Sequence, residues 1–298
     1  MNSRNWAFTA VIFVQLFYGF TFTFANDVID GGFIPPFGFI LLRVSAAAAL
    51  FWIFGFMAPK EKIQTSDYGL VVLGALFGVA INMQAFFKGL AFTTPINASV
   101  IMITTPIIVL ILSNIFLREF ITRLKVIGIF LGLSGAVILT LYGKPNHSGD
   151  HLMLGNFLIF INALSYSAYL IIIKKLTIKY HPYTIIKWIF LIGIFMVTPL
   201  GFKELLIVEW QAFPGYIWFS VFFVIVFATF GTYILNPFAL RSLSATTVSS
   251  FIYLQPTFAG IFAIVMGSDV LSVVKVLAAI LIFTGVFFVS KPSKLLAK

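Results

Sequence analysis

The sequence predicts an all-α integral membrane protein whose ten transmembrane helices form two inverted five-helix repeats. Apolar residues make up 61% of the 298 residues and charged residues only 9%, which is more apolar surface than a water-facing fold can bury. The apolar runs are about twenty residues long and lack strict alternation, which favours helices over a membrane barrel. An ungapped internal repeat divides these helices into two sets of five.

The first five helices begin and end at charged or proline-containing segments. Helix 1 follows Arg4, and no small-residue cleavage site precedes Asn26 and Asp27, so we interpret it as a retained helix rather than a signal peptide. Pro35 and Pro36 mark the start of helix 2, where a missing N–H does least harm. The five predicted spans are 5–25, 36–57, 68–90, 96–116 and 125–142.

The second five helices are apolar runs joined by equally short connections. Pro145 lies between the two sets, and Pro182 and Pro214 fall at or near predicted helix starts. The connections leave no room for a soluble domain. The predicted spans are 152–173, 183–201, 214–238, 243–266 and 272–290.

Basic residues predict the orientation of the helices. The side that holds the N-terminus carries thirteen of them, and the positive-inside rule therefore places both ends of the chain in the cytoplasm. These thirteen are Arg4, Lys60, Lys62, Arg118, Arg123, Lys125, Lys174, Lys175, Lys179, Arg241, Lys291, Lys294 and Lys298. The opposite side carries only Lys144, Lys203 and Lys275. The net charge of +10 is thus a topology signal rather than a nucleic-acid surface, and for a bacterial source the membrane is the inner membrane of the cell.

Residues 85–140 align with residues 235–290 without a gap, at an offset of 150 residues. The alignment pairs Pro106 with Pro256, two prolines that lie inside apolar helices. Chance matches are frequent between apolar segments, so the ungapped length and the paired prolines carry the assignment.

The repeat divides the chain into a first half, 1–143, and a second half, 144–298. In the first helix of each half, Tyr18 pairs with Tyr166 at an offset of 148 residues. Five helices are an odd number, so the two halves enter the membrane from opposite sides. Inverted repeats are a recurring basis for alternating access, because two similar halves can exchange shapes around one central site.

Several short motifs resemble those of a known family. In the first half they are Phe17-Tyr18-Gly19, the Pro35 to Arg43 run, the Asn97 to Pro106 run and Leu117-Arg118-Glu119. In the second half they are Ala239-Leu240, Ser249 to Pro256 and Gly267-Ser268-Asp269. The chain resembles the EamA-type members of the drug/metabolite transporter superfamily over nearly its whole length, although Arg118 stands where the family usually has Gly. The resemblance implies ten helices, cytoplasmic termini and the export or import of small metabolites.

Arg43 is the deepest charge in the chain, about eight residues or 12 Å inside helix 2. A charge at that depth is costly unless it is paired, hydrated or facing a cavity. We interpret it either as a contact for an anionic group such as a carboxylate, or as a structural group bonded to carbonyls, Asp27 or Asp30. Lys88, near the outer end of helix 3, either guides substrates at the outer mouth or extends to the lipid headgroups.

Polar side chains form a stripe on helix 6 and another on helix 1. The stripe on helix 6 consists of Asn162, Ser165, Tyr166 and Tyr169. The stripe on helix 1 consists of Gln15, Tyr18, Phe22 and Asn26. In lipid such stripes turn inward, where they either line a cavity or form interhelical hydrogen bonds.

Pro106 and Pro256 are predicted hinges, since a proline inside a helix exposes a carbonyl and gives the helix a place to bend; the alternative is a static kink. Polar residues near these prolines and on helices 3 and 8 complete the predicted substrate pathway. Its members are Gln15, Tyr18, Asn26, Arg43, Asn82, Lys88, Asn97, Thr104, Asn162, Tyr166, Tyr169, Asn236, Tyr253 and Gln255.

Missing motifs narrow the chemistry. The sequence has no phosphate-binding Gly-x-x-x-x-Gly-Lys-Ser/Thr loop and no cysteine, and no carboxylate lies near the middle of a predicted helix. His147, Asp150 and His151 cluster in one loop, but two His and one Asp in a flexible loop predict a solvated loop rather than a metal site. We therefore expect neither a metal nor a cofactor.

The leading hypothesis is a secondary transporter, not an enzyme, that carries a small metabolite such as an amino acid through a chamber between the halves. The alternatives are a multidrug exporter, a membrane-embedded enzyme acting on lipid, and a receptor or scaffold. Two Gly-x-x-x-Gly motifs, Gly74 with Gly78 and Gly128 with Gly132, favour close helix packing within a monomer, or the seam of a homodimer.

Overall fold

The computed structural model describes residues 3–29, 31–93, 95–141, 151–265 and 271–291, and in these ranges every regular element is a helix. The helices are α1 (Ser3–Ile29), α2 (Pro36–Phe54), α3 (Thr65–Phe92), α4 (Pro95–Met102 and Thr105–Leu117), α5 (Arg123–Leu141), α6 (Leu152–Lys179), α7 (Pro182–Leu206), α8 (Gly215–Ser242), α9 (Ala245–Ser250 and Gln255–Val265) and α10 (Val273–Ser290). A 3₁₀ turn, Phe251–Leu254, joins the two parts of α9.

Nine helices in the described part of the chain are long and apolar enough to cross a membrane. They include Val100–Leu117 of α4 and every other helix except α9. The predicted ninth helix, 243–266, is present as the two parts of α9 and the turn between them. The protein is therefore an all-helical, multi-pass membrane protein, and the tenth crossing stays a prediction.

Prolines stand at the helix starts that the sequence indicated. Pro36 and Pro182 are the first residues of α2 and α7, and Pro214 directly precedes α8. A proline is tolerated in the first turn because its fixed φ suits a helix and its missing N–H would have no partner there. Pro145 lies outside the described residues.

Contacts between helix ends show how the helices alternate in direction. We call the end of the bundle at which α1 begins the basal end, and the end at which α1 finishes the distal end. Arg4 Nη2 donates to Ser290 O at 2.8 Å, so α10 finishes at the basal end. Glu204, near the end of α7, accepts from the backbone N–H groups of Phe37 and Gly38 at 2.7 and 2.9 Å, so α7 finishes where α2 begins. The charge distribution predicts that the basal end is cytoplasmic.

The most extensive helix packing joins the first half of the chain to the second. α2 packs along α7, α5 along α10, α3 along α6, and α1 along α8. α4 also packs on α6, and α1 on α9. The core therefore lies between the halves.

Glycines allow α5 and α10 to approach closely. A Cβ on Gly128 would lie 2.6 Å from Gly285 O, and a Cβ on Gly285 would lie 2.5 Å from Gly128 O. Such contact between backbones requires the absence of a side chain. The other glycines of the two predicted motifs also meet helices of this chain, through Ile189 at Gly74, Tyr169 at Gly78 and Tyr253 at Gly132.

α3 and α8 each contain a π-helical segment, Leu76–Ala80 and Val226–Gly231, which the sequence did not predict. The two segments begin 150 residues apart, at the offset of the internal repeat. A π turn breaks the regular hydrogen bonding of the helix, and a neighbouring side chain uses one of its carbonyls. Tyr233 Oη donates to Gly78 O at 2.6 Å.

Candidate functional site

A cavity of about 370 Å³ lies between the two halves. Its described lining comes from seven helices, namely α1, α2, α3, α4, α6, α8 and α9. The predicted pathway residues in this lining are Tyr18, Arg43, Asn82, Asn162, Tyr166 and Gln255. The helices on which the sequence placed polar stripes thus meet around one space.

The cavity occupies the distal part of the bundle. Its lining reaches Ile29, the last residue of α1, and Thr93, which directly follows α3. Towards the basal end the lining stops at Tyr18 on α1 and at Asn82 on α3. Val14, one turn beyond Tyr18, is fully buried. The cavity therefore approaches one end of the bundle and is closed towards the other.

Hydrogen bonds between helices hold the basal end closed. Lys174 Nζ on α6 donates to the carbonyl oxygen of Leu240, and to that of Leu243 at 2.9 Å, where α8 ends. Glu119, which follows α4, accepts at 2.8 Å from the backbone N–H of Ala245, the first residue of α9. A carboxylate at a helix N-terminus is favourable because the first N–H groups have no partner within the helix.

Arg43 is 6% exposed and lines the cavity. Its Nε donates at 2.9 Å to Thr229 Oγ1, in the π-helical segment of α8, and its Cζ lies 5.6 Å from the centroid of the Phe87 ring. Thr229 Oγ1 in turn donates to Val224 O at 2.7 Å, which leaves its lone pairs to accept from Arg43. The observed partner is a hydroxyl on α8, in place of the carbonyls or Asp27 that the sequence indicated. Asp30, the other carboxylate that the sequence indicated, lies outside the described residues.

Three tyrosines, Tyr18, Tyr166 and Tyr233, line the deep part of the cavity. The Tyr233 hydroxyl proton is used in the bond to Gly78 O. Asn236 Nδ2 donates to Tyr166 Oη at 3.1 Å, so the proton of the Tyr166 hydroxyl is left to donate elsewhere. The three side chains lie near one another, and Tyr18 and Tyr233 also lie near Arg43.

Two pairs of amide side chains flank the tyrosines. Asn162 Nδ2 donates to Asn82 O at 2.7 Å, and Asn162 Oδ1 is buried without a partner among the described residues. The assignment of the two Asn162 atoms is fixed, because a backbone carbonyl can only accept. Gln255 Nε2 donates at 2.7 Å to Oε1 of Gln15, which is buried behind the lining.

Like Gln15, three further predicted pathway residues are buried behind the lining. Tyr169 and Tyr253 are 1% and 0% exposed, and their hydroxyls find no partner in the described part of the chain. Asn236 is also buried and supports Tyr166. Tyr169 packs against the lining tyrosines Tyr166 and Tyr233, and Tyr253 packs against Gly132 on α5.

The remaining predicted residues lie outside the described lining of the cavity. Lys88 is exposed, with its Nζ 4.8 Å from the centroid of the Phe92 ring. Thr104 Oγ1 donates to a carbonyl of its own helix, three residues back, at 2.6 Å. The side chains of Asn26 and Asn97 are not among those that the structure describes.

Titratable groups outside the spans cluster at the basal end. Glu61 accepts from the backbone N–H of His181 at 2.7 Å, directly before α7. Burial lowers the pKa of His181, the charge on Arg241 lowers it further, and Glu61 opposes both. Tyr180 Oη donates to Asp67 Oδ2 at 2.7 Å, and burial raises the pKa of Tyr180.

No cluster of three or more His, Asp or Glu side chains that could hold a metal occurs within the described ranges. The loop residues His147 and Asp150 lie outside those ranges. The described cavity lining holds Arg43 and neutral side chains, which suit solute binding rather than metal coordination.

The sequence pattern of the EamA-like transporter family matches residues 5–141 and, a second time, residues 153–291. The chain belongs to this family. A relative named as the uncharacterized transporter YyaM of Bacillus subtilis (strain 168) is 24% identical over 280 residues, which cover 93% of this chain and 90% of the relative. An uncharacterized transporter of Archaeoglobus fulgidus is 26% identical over 275 residues, which cover 92% of this chain and 94% of that relative.

A solved crystal structure has the same fold as this EamA-like transporter. It is 17% identical in sequence, and the two superpose with a TM-score of 0.78 over 97% of this chain and 98% of the other. The family match agrees with the sequence resemblance and makes the chain a member of a membrane-transporter family. The solved structure shows that the fold is shared.

Sequence reasoning missed Tyr233 and the apolar lining of the EamA-like chain, because aromatic and methionine side chains are common on every face of these helices. The main apolar lining residues are Met83, Phe86, Phe87, Leu90, Met102 and Ile252. The sequence did contain one indication that Met102 and Ile252 line the cavity. They correspond at the repeat offset, and each lies four residues before one of the paired prolines, Pro106 and Pro256.

Both paired prolines of the transporter lie at interruptions of their helices. Pro106 is the second residue after the gap in α4, and Pro256 is the second residue after the 3₁₀ turn in α9. Each proline lacks the N–H that would donate to the carbonyl four residues back, at Met102 or Ile252. Both interruptions lie at the cavity wall, which Met102 and Ile252 line, and a kink or a hinge at these prolines stays a prediction.

Proposed function

We propose that this chain is a secondary transporter that moves a small metabolite across the membrane by alternating access. The observation that carries the proposal is the cavity, which both halves line and which extends towards the distal end only. Membership of a transporter family supports the proposal. The volume of about 370 Å³ suits a solute of metabolite size.

An inverted relation between the halves is part of the proposal, and the helix packing supports it. When helices one to five are exchanged with helices six to ten, the α3–α6 pair becomes the α8–α1 pair. The α2–α7 and α5–α10 pairs become themselves. The π-helical segments of α3 and α8 and the interrupted helices α4 and α9 follow the same exchange. A two-fold axis in the membrane plane accounts for all of these relations.

The repeat also indicates which residues line the cavity in the opposite state. The cavity-lining residues in the last three turns of α1 are Thr21, Ala25 and Ile29. Their counterparts on α6, at the offset of 148 residues, are Tyr169, Ile173 and Thr177. These counterparts are 1%, 0% and 3% exposed, as expected for a pathway that is closed at the basal end.

Helices α3 and α8 give the same relation. Phe86 and Leu90 line the cavity on α3, and their counterparts at the offset of 150 residues are Asn236 and Leu240. Both counterparts are buried, at 2% and 0% exposure. Leu240 also supplies one of the carbonyls that bind Lys174, so the proposed basal pathway passes through the closure already described.

Unpartnered polar atoms on the basal side support a second state. Tyr169 Oη, Asn236 Oδ1 and Thr105 Oγ1 are buried without a partner among the described residues. Thr105 is the counterpart of Gln255, which lines the cavity. An unmet buried polar atom costs about 1–3 kcal/mol, and water or solute would meet these atoms once the basal side opens.

The proposed orientation places both termini in the cytoplasm, and for a bacterial cell it places the protein in the inner membrane. Transport is by export or exchange of a small amphipathic solute, for which amino acids and other organic acids are both candidates. Polar groups at the deep end of the cavity and apolar side chains around it support a solute of this kind.

Flux measurements in liposomes test the proposal. Purified protein is reconstituted and assayed for uptake and exchange of a labelled panel of amino acids and organic acids, with and without a pH gradient. We expect saturable flux of at least one solute. Flux should be lost in Thr21→Trp, because Thr21 lines the cavity, and kept in Thr23→Trp, because Thr23 is exposed two residues away on the same helix. Absence of saturable flux and exchange across the panel, or equal flux in both variants, would contradict the proposal.

A further inference from the structure

The charges that face the cavity are unbalanced. Arg43 lies in the described lining, and that lining contains no Asp, Glu or Lys. In a site with little water, a charged group on the solute is bound well only when a group of opposite charge meets it. The described site therefore offers an opposite charge to a solute anion and none to a solute ammonium group.

The guanidinium of Arg43 is oriented so that one edge stays open to a ligand. Its Nε is fixed by Thr229 Oγ1 at 2.9 Å, and the Phe87 ring covers one face at 5.6 Å. Among the described residues this bond to Thr229 is the one hydrogen bond of the guanidinium. Its terminal amino groups present two parallel N–H donors, which is the geometry that binds a carboxylate through both oxygens.

A second, neutral polar group in the lining needs a donor. Asn162 Oδ1 is buried and has no partner in the described part of the chain, while the Nδ2 of the same side chain is held by Asn82 O. An amide oxygen accepts from a hydroxyl without requiring any charge on it. A solute hydroxyl at this position would satisfy the unpaired atom.

The rest of the lining is apolar. Met83, Phe86, Met102 and Ile252 line the cavity together with Phe87 beside Arg43. Aromatic and thioether side chains pack well against an apolar ring or branched chain. They carry no negative charge that could pair with an ammonium group.

We infer, on the basis of the proposed transport function, that the cavity takes a small organic monoanion. This solute is a carboxylate with an apolar body and a neutral donor such as a hydroxyl, and it binds in preference to the zwitterion of the same shape. Arg43 binds the carboxylate, Thr229 positions Arg43, and Asn162 accepts from the hydroxyl. A zwitterion places an ammonium group where the described lining has no carboxylate, and it loses affinity by the cost of burying that charge without an opposite charge.

Four ligands with one skeleton test the inference by equilibrium binding to the purified full chain in lipid nanodiscs. They are 3-phenyllactate, 3-phenylpropionate, phenylalanine and phenethylamine, which carry in turn an anion with a hydroxyl, an anion alone, a zwitterion and a cation. We expect affinity to fall in that order, with phenyllactate about tenfold or more tighter than phenylalanine. Phenylalanine binding as tightly as phenyllactate, phenethylamine binding most tightly, or no binding by any of the four would overturn the inference.

Variants of Arg43, compared with a variant of a second basic residue, separate the effect of the specific contact from the effect of net charge. Arg43→Gln should weaken phenyllactate binding about ten- to hundredfold. Arg43→Lys keeps the charge and should keep the preference for the anion over the zwitterion. Lys187→Gln should leave binding unchanged, because Lys187 lies outside the cavity lining, with its Nζ 5.2 Å from the Trp52 ring centroid. An equal loss in Arg43→Gln and Lys187→Gln would contradict the assignment to Arg43.

A change at Asn162 tests the second contact. Asn162→Leu should remove the difference in affinity between phenyllactate and phenylpropionate, and a difference that persists would exclude Asn162 as the acceptor.

The order of binding affinities also separates this inference from the proposed function. Saturable amino-acid flux together with weak phenyllactate binding would overturn the inference and leave the transport proposal intact. The expected order of affinities without flux of any solute would support the inference and contradict the transport proposal.

Discussion

Arg118 has a left-handed backbone, with a φ of 56°, and is the one non-glycine residue with positive φ in the described ranges. It follows α4, and the N–H groups of Arg118 and Glu119 both donate to Ser113 O. This left-handed conformation favours glycine, which has no Cβ to clash with the backbone there. The family resemblance also indicated a glycine at this position.

Arg118→Gly is therefore expected to raise the free energy of unfolding by about 1 kcal/mol. Thermal unfolding in one detergent measures the change. Arg118→Ala is the matched control, because it removes the same charge but keeps a Cβ, and it should give no gain. A gain of equal size in both variants would show that the charge, and not the backbone, is responsible.

His181 predicts a pH dependence of stability. Burial lowers its pKa in the folded protein below its ordinary value of about 6.5. As the pH falls, the unfolded chain therefore takes up the proton first. The stabilising contribution of neutral His181 is present above about pH 6.5 and is lost as the pH falls from there towards the lowered pKa of the folded state.

The melting temperature should accordingly fall less steeply between about pH 7.5 and 5.5 in His181→Gln than in the wild type. Melting curves at a series of pH values measure the slope. His151→Gln is the control, because His151 is exposed and should leave the slope unchanged. A His181→Gln slope equal to that of the wild type would refute the assignment.

At the scale of residues, the sequence identified the groups that stand out from an apolar background. Arg43 was recognisable by its depth, and Tyr18 and Tyr166 by their correspondence in the repeat. Thr229 was not recognisable, because a single threonine in an apolar helix gives no sign of its neighbours. Its role depends on the π-helical segment that turns it towards α2.

At the scale of elements, helix existence was predictable and helix irregularity was not. The prolines that open α2 and α7 act locally, so the sequence places them correctly. α6 continues to Lys179, beyond the predicted end at 173, because lysine side chains extend from an apolar helix to the membrane surface. The π-helical segments arise from packing between helices, which the local sequence does not reveal.

The packing of α5 on α10 gives a prediction at this scale. Gly285→Ala should lower the free energy of unfolding by about 1–3 kcal/mol, because its Cβ would meet backbone atoms of α5 and push the helices apart. Gly260→Ala is the matched control, since a Cβ there meets nothing within 4 Å. Chemical unfolding in mixed micelles measures both. Equal effects would mean that α5 and α10 do not depend on close approach.

At the scale of the whole molecule, composition predicts the membrane class, and the internal offset predicts two related halves. The pairing of helices across the halves is a long-range property, and so is the position of the cavity at one end. The repeat treats both ends alike, so the sequence alone gives no reason for the distal end to be the open one. In this structure the contacts of Lys174 lie across the closed basal end.

Alternating access is tested most directly by the reactivity of two cysteines, since the natural chain has none. Thr21→Cys lies in the distal lining and Thr177→Cys in the closed basal region. In liposomes, a membrane-impermeant maleimide should modify Thr21→Cys from the distal side and spare Thr177→Cys. Adding Lys174→Met, which removes the basal bonds to Leu240 and Leu243, should expose Thr177→Cys to the basal side and protect Thr21→Cys. Reactivities that rise together, or that do not change, would contradict the account.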